Sequence, residues 1–171
     1  IACMSGTILL AACGGEKTEI KGDKTVENKV IVASTAAESN LFELSKEEEK
    51  IYNDFQTDLN PEHLRRLEPI SIAKLYVQTI IDEKYDVQYA LYTDREEYVQ
   101  WSKEDDREIP ISDRASSEQV ADQFKNIDNG EFIQTSDYEG YIEYDSGKGK
   151  SGFKMIKNED GIWQAAFLPI Q

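Results

Sequence analysis

Chemistry at a protein site needs nucleophiles, acid–base groups or metal ligands at workable spacing, and this chain offers few. Its one histidine, His63, has no cysteine beside it and no partner recognisable by spacing, so neither a catalytic triad nor a zinc site can be built on it. Two residues after Pro61 in a charged turn, it reads as a surface residue. Carboxylates cluster at Glu47–Glu49, Glu96–Glu97 and Glu104–Asp106, at the spacing of solvated helix faces and loops. None fits the calcium-loop pattern of alternating acids closed by glycine, and "NIDNG" (126–130) has the wrong register for it. The run "SGKGKSG" (146–152) invites a phosphate-loop reading. That loop needs a glycine where this chain has Tyr144, and a helix where Phe153 onward reads as strand, so a hairpin loop is the better account. Both thiols, Cys3 and Cys13, fall within the first thirteen residues, and nothing beyond Cys13 can form a disulfide or a thiolate metal site. No cofactor and no metal is expected.

Composition narrows the partners. Among 171 residues, 19 are Lys or Arg and 34 are Asp or Glu, for a formal net charge of −15. Such a surface repels phosphate backbones and anionic headgroups, which argues against nucleic-acid binding. Aromatic residues make up 10% of the chain and concentrate after residue 50, so the acidity belongs to a folded domain and not to a disordered tail.

Residues 1–12, "IACMSGTILLAA", are uncharged, end in small residues and fall short of the ~20 residues that span a bilayer. They suit the apolar segment of a secretory signal. Leu10-Ala11-Ala12-Cys13 resembles the lipobox of bacterial lipoproteins. The resemblance implies that Leu10, Ala11 and Ala12 are recognised by the signal peptidase. It also implies that the Cys13 thiol takes a thioether-linked diacylglycerol and becomes the anchor. Two acyl chains hold where one gives only reversible attachment, at ~0.8 kcal/mol per buried CH₂. The expected address is the extracytoplasmic face of the cell membrane. From Cys13 to Leu44 the chain is mostly Gly, Ser, Thr, Lys, Glu and Asn, a flexible tether with a root-mean-square span of ~30 Å. Val30-Ile31-Val32 interrupts it and could add a short edge strand to the domain.

The elements that must position any site begin at Ser45, so one domain is expected over 45–171. Ser45-Lys46-Glu47-Glu48 is a capping box, followed by Ile51, Phe55 and Leu59 at helical spacing. Asn60-Pro61 starts a second helical piece. In 69–94, Ile72, Tyr76 and Ile80 share a face with Ala73, Val77 and Ile81 alongside, a wide stripe for a helix packed on a sheet. Asp86 is expected to cap a short helix carrying Val87, Ala90 and Leu91. Thr93-Asp94-Arg95-Glu96 reads as another capping box, residues 102–114 as loop, and Ser116–Gln119 as the start of a helix with Val120, Phe124 and Ile127. The rest is strand: "EFIQTS", "GYIEYD", "GFKMIK" and "IWQAAFL", the last two joined by a turn at Asn158–Gly161. Helices first and a β-meander last make an α+β domain.

The long helix, the short second helix in "YDVQYALYTD" and a meander ending near Gly161-Ile162-Trp163 resemble the nuclear-transport-factor-2-like cone fold over residues 67–168. "ISIAKLYVQ", "YALYTD" and "DGIWQAAFLPIQ" are similar to stretches in small lipoproteins of Bacillus-like bacteria. The resemblance implies helices packed on a curved sheet with a cavity between them. Tyr76, Tyr89, Tyr92, Trp101, Phe132, Tyr141 and Trp163 could line it. An anchored, acidic domain is expected to be a non-enzymatic ligand- or protein-binding module of the envelope, with the membrane and an envelope or membrane protein as partners, and the resemblance implies a homodimer through the sheet as one arrangement. Two alternatives stand beside that expectation. One is a regulator restraining an envelope-stress sigma factor through a membrane partner. The other is a ketosteroid-isomerase-like or dehydratase-like enzyme, for which no catalytic base can be named.

Overall fold

A computed structural model describes residues 41–170 of the chain. Residues 1–12, Cys13, Val30–Val32 and most of the expected tether lie outside the described residues.

Helix α1 (Lys46–Asp58) starts where its capping box predicts. The Ser45 hydroxyl accepts from the Glu48 N–H at 3.2 Å, and the Glu48 carboxylate accepts from the Ser45 N–H at 2.6 Å. Glu48 is buried, and its Oε2 also takes Lys74 Nζ at 2.8 Å, so one side chain both caps α1 and ties it to the next helix. Leu41, Phe42 and Leu44, expected in the tether, pack against the core, so the packed chain begins ahead of Ser45. A 3₁₀ turn over Pro61–Arg66, capped by the Asn60 side chain, leads into α2 (Pro69–Ile81).

α2 is the axis of the domain. Ile72, Ala73, Leu75, Tyr76, Val77, Thr79 and Ile80 are all buried, so it is covered on most of its circumference and not on one stripe alone. It touches α1, α3 (Tyr85–Ala90), α5 (Ser117–Gln123) and the sheet.

Three local expectations are corrected. Asp86 does not cap α3: it sits in the first turn, and its carboxylate receives Arg107 Nε and Nη2 at 2.9 and 3.1 Å. Thr93 does not open a capped α-helix either. The backbone of 91–93 is claimed by the sheet, with Thr93 N–H donating to the Ala165 carbonyl and Ala165 N–H to the Leu91 carbonyl, each at 2.9 Å. Only a single 3₁₀ turn, Glu96–Tyr98, follows. Residues 102–114 are not all loop: α4 (Lys103–Glu108) carries a full capping box between Ser102 and Asp105, and Pro110 then ends it. Aspartate in place of the usual glutamate, and no apolar stripe behind it, hid this helix among charges.

The sheet is an antiparallel meander in the order β1 (Glu131–Gln134), β2 (Glu139–Asp145), β3 (Lys150–Lys157), β4 (Trp163–Ile170). Helices followed by this four-stranded sheet make the domain α+β. Ile142, Phe153, Met155 and Ala165, aligned by strand pairing, form its inner face and are fully buried. The phosphate-loop candidate is the β2–β3 turn, with Gly147 and Gly149 at φ 81° and 131°, and strand follows it.

Candidate functional site

Among the described residues the site that gathers the most chemistry is a cleft of about 390 Å³, within the ~300–1,000 Å³ of small-molecule sites. It forms because α2 presents Tyr76 and Ile80 one turn apart on one face, while the short α3 turns Tyr85, Gln88 and the following Tyr92 towards them. Trp101 just ahead of α4 and Asp106 within it, then Arg114, Val120 of α5 and Phe124 at the end of that helix, complete the wall. No strand residue lines it among the described residues. This cleft lies among helices, with the sheet one layer behind: Phe153 meets the Tyr76 ring edge-on at 5.4 Å, and Phe167 stacks on Tyr92 at 4.5 Å.

Two polar clusters face this space. The first is phenolic. Tyr76 Oη and Tyr92 Oη lie 2.8 Å apart, and Gln88 Nε2 donates to Tyr76 Oη at 3.0 Å. Two hydroxyls hold two protons, and their mutual bond uses one. Whichever ring donates, one phenolic proton has no protein acceptor among the described residues. Burial pushes the pKa of both phenols up, and for Tyr92 the adjacent Tyr76 pushes further. Both stay protonated, which makes them donors and not bases.

The second cluster is ionic. Asp106 is buried; its Oδ1 accepts from Trp101 Nε1 at 3.1 Å and its Oδ2 from Arg114 Nη2 at 3.1 Å. Arg114 Nη2 also donates to the Asp106 backbone carbonyl, and the guanidinium lies 4.0 Å from the Tyr85 ring centroid. Both carboxylate oxygens are thus engaged in holding Trp101 and Arg114 in place. Asp113 stands exposed at the rim and accepts from the Ser112 hydroxyl.

The seven aromatic residues singled out from the sequence separate into four groups. Tyr76, Tyr92 and Trp101 line the cleft. Tyr89 stands behind it, donating its hydroxyl to the Trp101 carbonyl at 2.9 Å and packing on Phe167. Phe132 and Trp163 pack on each other at 4.9 Å over the inner face of the sheet, away from the cleft. Tyr141 is on the opposite face, because it alternates with the buried Ile142; there it borders a groove with Gly152 and Lys154. Tyr85, Gln88 and Arg114 were not singled out, and Asp106, read with Glu104 and Asp105 as a solvated acid, is instead buried. The capping box at Ser102 was the one signal that could have placed Asp106 on a helix.

Elsewhere, His63 pairs through Nε2 with Asp58 at 3.0 Å on the surface, and no group of three or more His, Cys, Asp or Glu among the described residues is placed to hold a metal ion. No helix among them is long and apolar enough to cross a membrane. Cys13 and Leu10–Ala12 lie outside the described residues. No protein-family model matches the chain, and neither a curated protein nor a solved structure gives a significant match.

Proposed function

We propose that this is a ligand-binding module of the cell envelope, held at the outer face of the membrane by a lipid on Cys13 and binding a small molecule in the aromatic cleft. The observation that carries the binding half is the state of Asp106. An isomerase- or dehydratase-like mechanism needs a carboxylate free to take a proton beside the phenols. The buried carboxylate of this cleft has both oxygens bonded to protein donors. Aromatic walls with fixed donors and no unengaged buried base suit recognition without turnover. The order of helices and meander supports a cone-like domain of the nuclear-transport-factor-2-like type, with the cleft displaced into the helical layer. The anchor rests on Leu10-Ala11-Ala12-Cys13 alone.

The two halves are tested separately. Globomycin or Cys13→Ala should leave an unlipidated precursor in cells, and normal processing of the variant would overturn the anchor. For the cleft, the purified Cys13→Ala chain is screened with a metabolite library by thermal shift. A ligand at a hundred times its Kd stabilises by ~2.7 kcal/mol. Trp101→Ala should abolish that gain for a true cleft ligand. A ligand recovered chemically changed would favour the enzyme instead.

A further inference from the structure

We infer that the cleft takes a flat, apolar molecule bearing a carboxylate, seated with that carboxylate against the unspent N–H groups of Arg114; this rests on the cleft being the protein's ligand site. A guanidinium has five N–H donors. Arg114 spends Nη2 on the Asp106 side chain and carbonyl. No acceptor among the described residues takes Nε or Nη1. Neither atom is among the fully buried polar atoms left without a partner among the described residues, so both keep contact with solvent, and Arg114 lines the cleft. Three N–H groups of a mostly buried cation, its side chain 11% exposed, are therefore on offer, and Tyr85 covers its face.

The phenols add to the same polarity. One proton of the Tyr76–Tyr92 pair is unspent, while each oxygen of Asp106 already accepts a hydrogen bond from protein. Gln88 donates to Tyr76, and the amide of Gln123 can turn either way, so it sets no preference. Around these donors the wall is apolar and largely planar: Tyr76, Tyr92, Trp101 and Phe124, with Ile80 and Val120. A carboxylate meets Arg114 with charge on both partners, a neutral amide with charge on the donor alone, and an amine finds a cation facing it. Against this works Asp113 at the rim, an exposed like charge that an entering anion must pass.

The test uses three probes of one shape, trans-cinnamate, cinnamamide and cinnamylamine. They are titrated into the full chain carrying Cys13→Ala while the Trp101 indole N–H is followed by NMR. Cinnamate should bind about tenfold or more tightly than the amide, and the amine should leave the signal unmoved. Arg114→Lys should remove most of the cinnamate advantage and leave cinnamamide unchanged. Because Arg114 supports Asp106, a second variant guards against misfolding: Asp113→Asn should tighten cinnamate and leave cinnamamide where it was. If the amide or the amine moves Trp101 as well as cinnamate does, or Asp113→Asn changes nothing, the carboxylate assignment fails while the cleft remains a ligand site. If no probe moves Trp101 at millimolar concentration, the cleft reading fails with it.

Discussion

Asp106 and Arg114 show what single residues decide here. Both side chains are largely out of water, at 8% and 11% exposure, and each balances the other. Removing one partner leaves an uncompensated buried charge, at a cost of ~3–5 kcal/mol, whereas replacing both by apolar groups can be neutral. Asp106→Asn should therefore lower the urea midpoint by that order, and Asp106→Asn with Arg114→Met should recover much of the loss. Equal destabilisation of the single and double variants would show that packing, not charge, is at stake. The pair also marks the limit of what could be read from the sequence. Tyr76 and Tyr92 were visible because apolar periodicity and aromatic content flag buried faces. Asp106 and Arg114 sit in "KEDDREIPISDR", where charge normally means solvent, and only three-dimensional packing turns two of those charges inward.

At the scale of elements, local chemistry was legible wherever the backbone had no competing partner. The boxes at Ser45 and Ser116 start α1 and α5 as their spacing requires, since nothing else claims those N–H groups. At Thr93 the same pattern gives no α-helix because β4 takes the backbone first, a non-local contact that no window of sequence reveals. The meander was legible from alternation and turn residues, but the reach of Phe132 across it was not. Phe132 lies over Gly140 on the neighbouring strand, where a Cβ would stand 2.6 Å from its ring and 3.0 Å from the Ile133 carbonyl. Gly140→Ala should accordingly destabilise by ~1–3 kcal/mol, the range for overpacking a filled core. The same substitution in a Phe132→Ala background should cost clearly less, and an unchanged cost by thermal melting would put the strain in the strand backbone instead. The capping box at Ser102 gives a separate expectation. Ser102→Ala should lose ~1 kcal/mol, and because α4 carries Asp106 it should also broaden the Trp101 indole N–H signal.

For the molecule as a whole, the excess of acid makes stability a matter of which carboxylates the fold prefers ionised. Asp58, Glu62, Asp86 and Asp105 are held below their ordinary pKa, chiefly by the Asn60 N–H, Arg65, Arg107 and the Ser102 hydroxyl respectively, but all are close to solvent. Glu48 is different. Burial alone would raise its pKa, yet hydrogen bonds from Lys74, the Ser45 N–H and Ser71 outweigh that and hold it down. A carboxylate with a lower pKa folded than unfolded contributes its full stabilisation above the unfolded value of ~4.3 and loses it as pH falls through the folded one. Stability should thus be level with respect to Glu48 between pH 7 and 5 and fall below it. Glu48→Gln removes that proton linkage while still offering an oxygen to the Ser45 N–H. It should be less stable at pH 7, because Lys74 then stands buried without its counter-charge, 12% exposed. Its stability should decline less steeply than the parent's between pH 5 and 3. Urea denaturation of both proteins at pH 7, 5, 4 and 3 reads this as converging curves, and curves that run parallel would place the acid sensitivity in the exposed carboxylates instead of the buried link between α1 and α2.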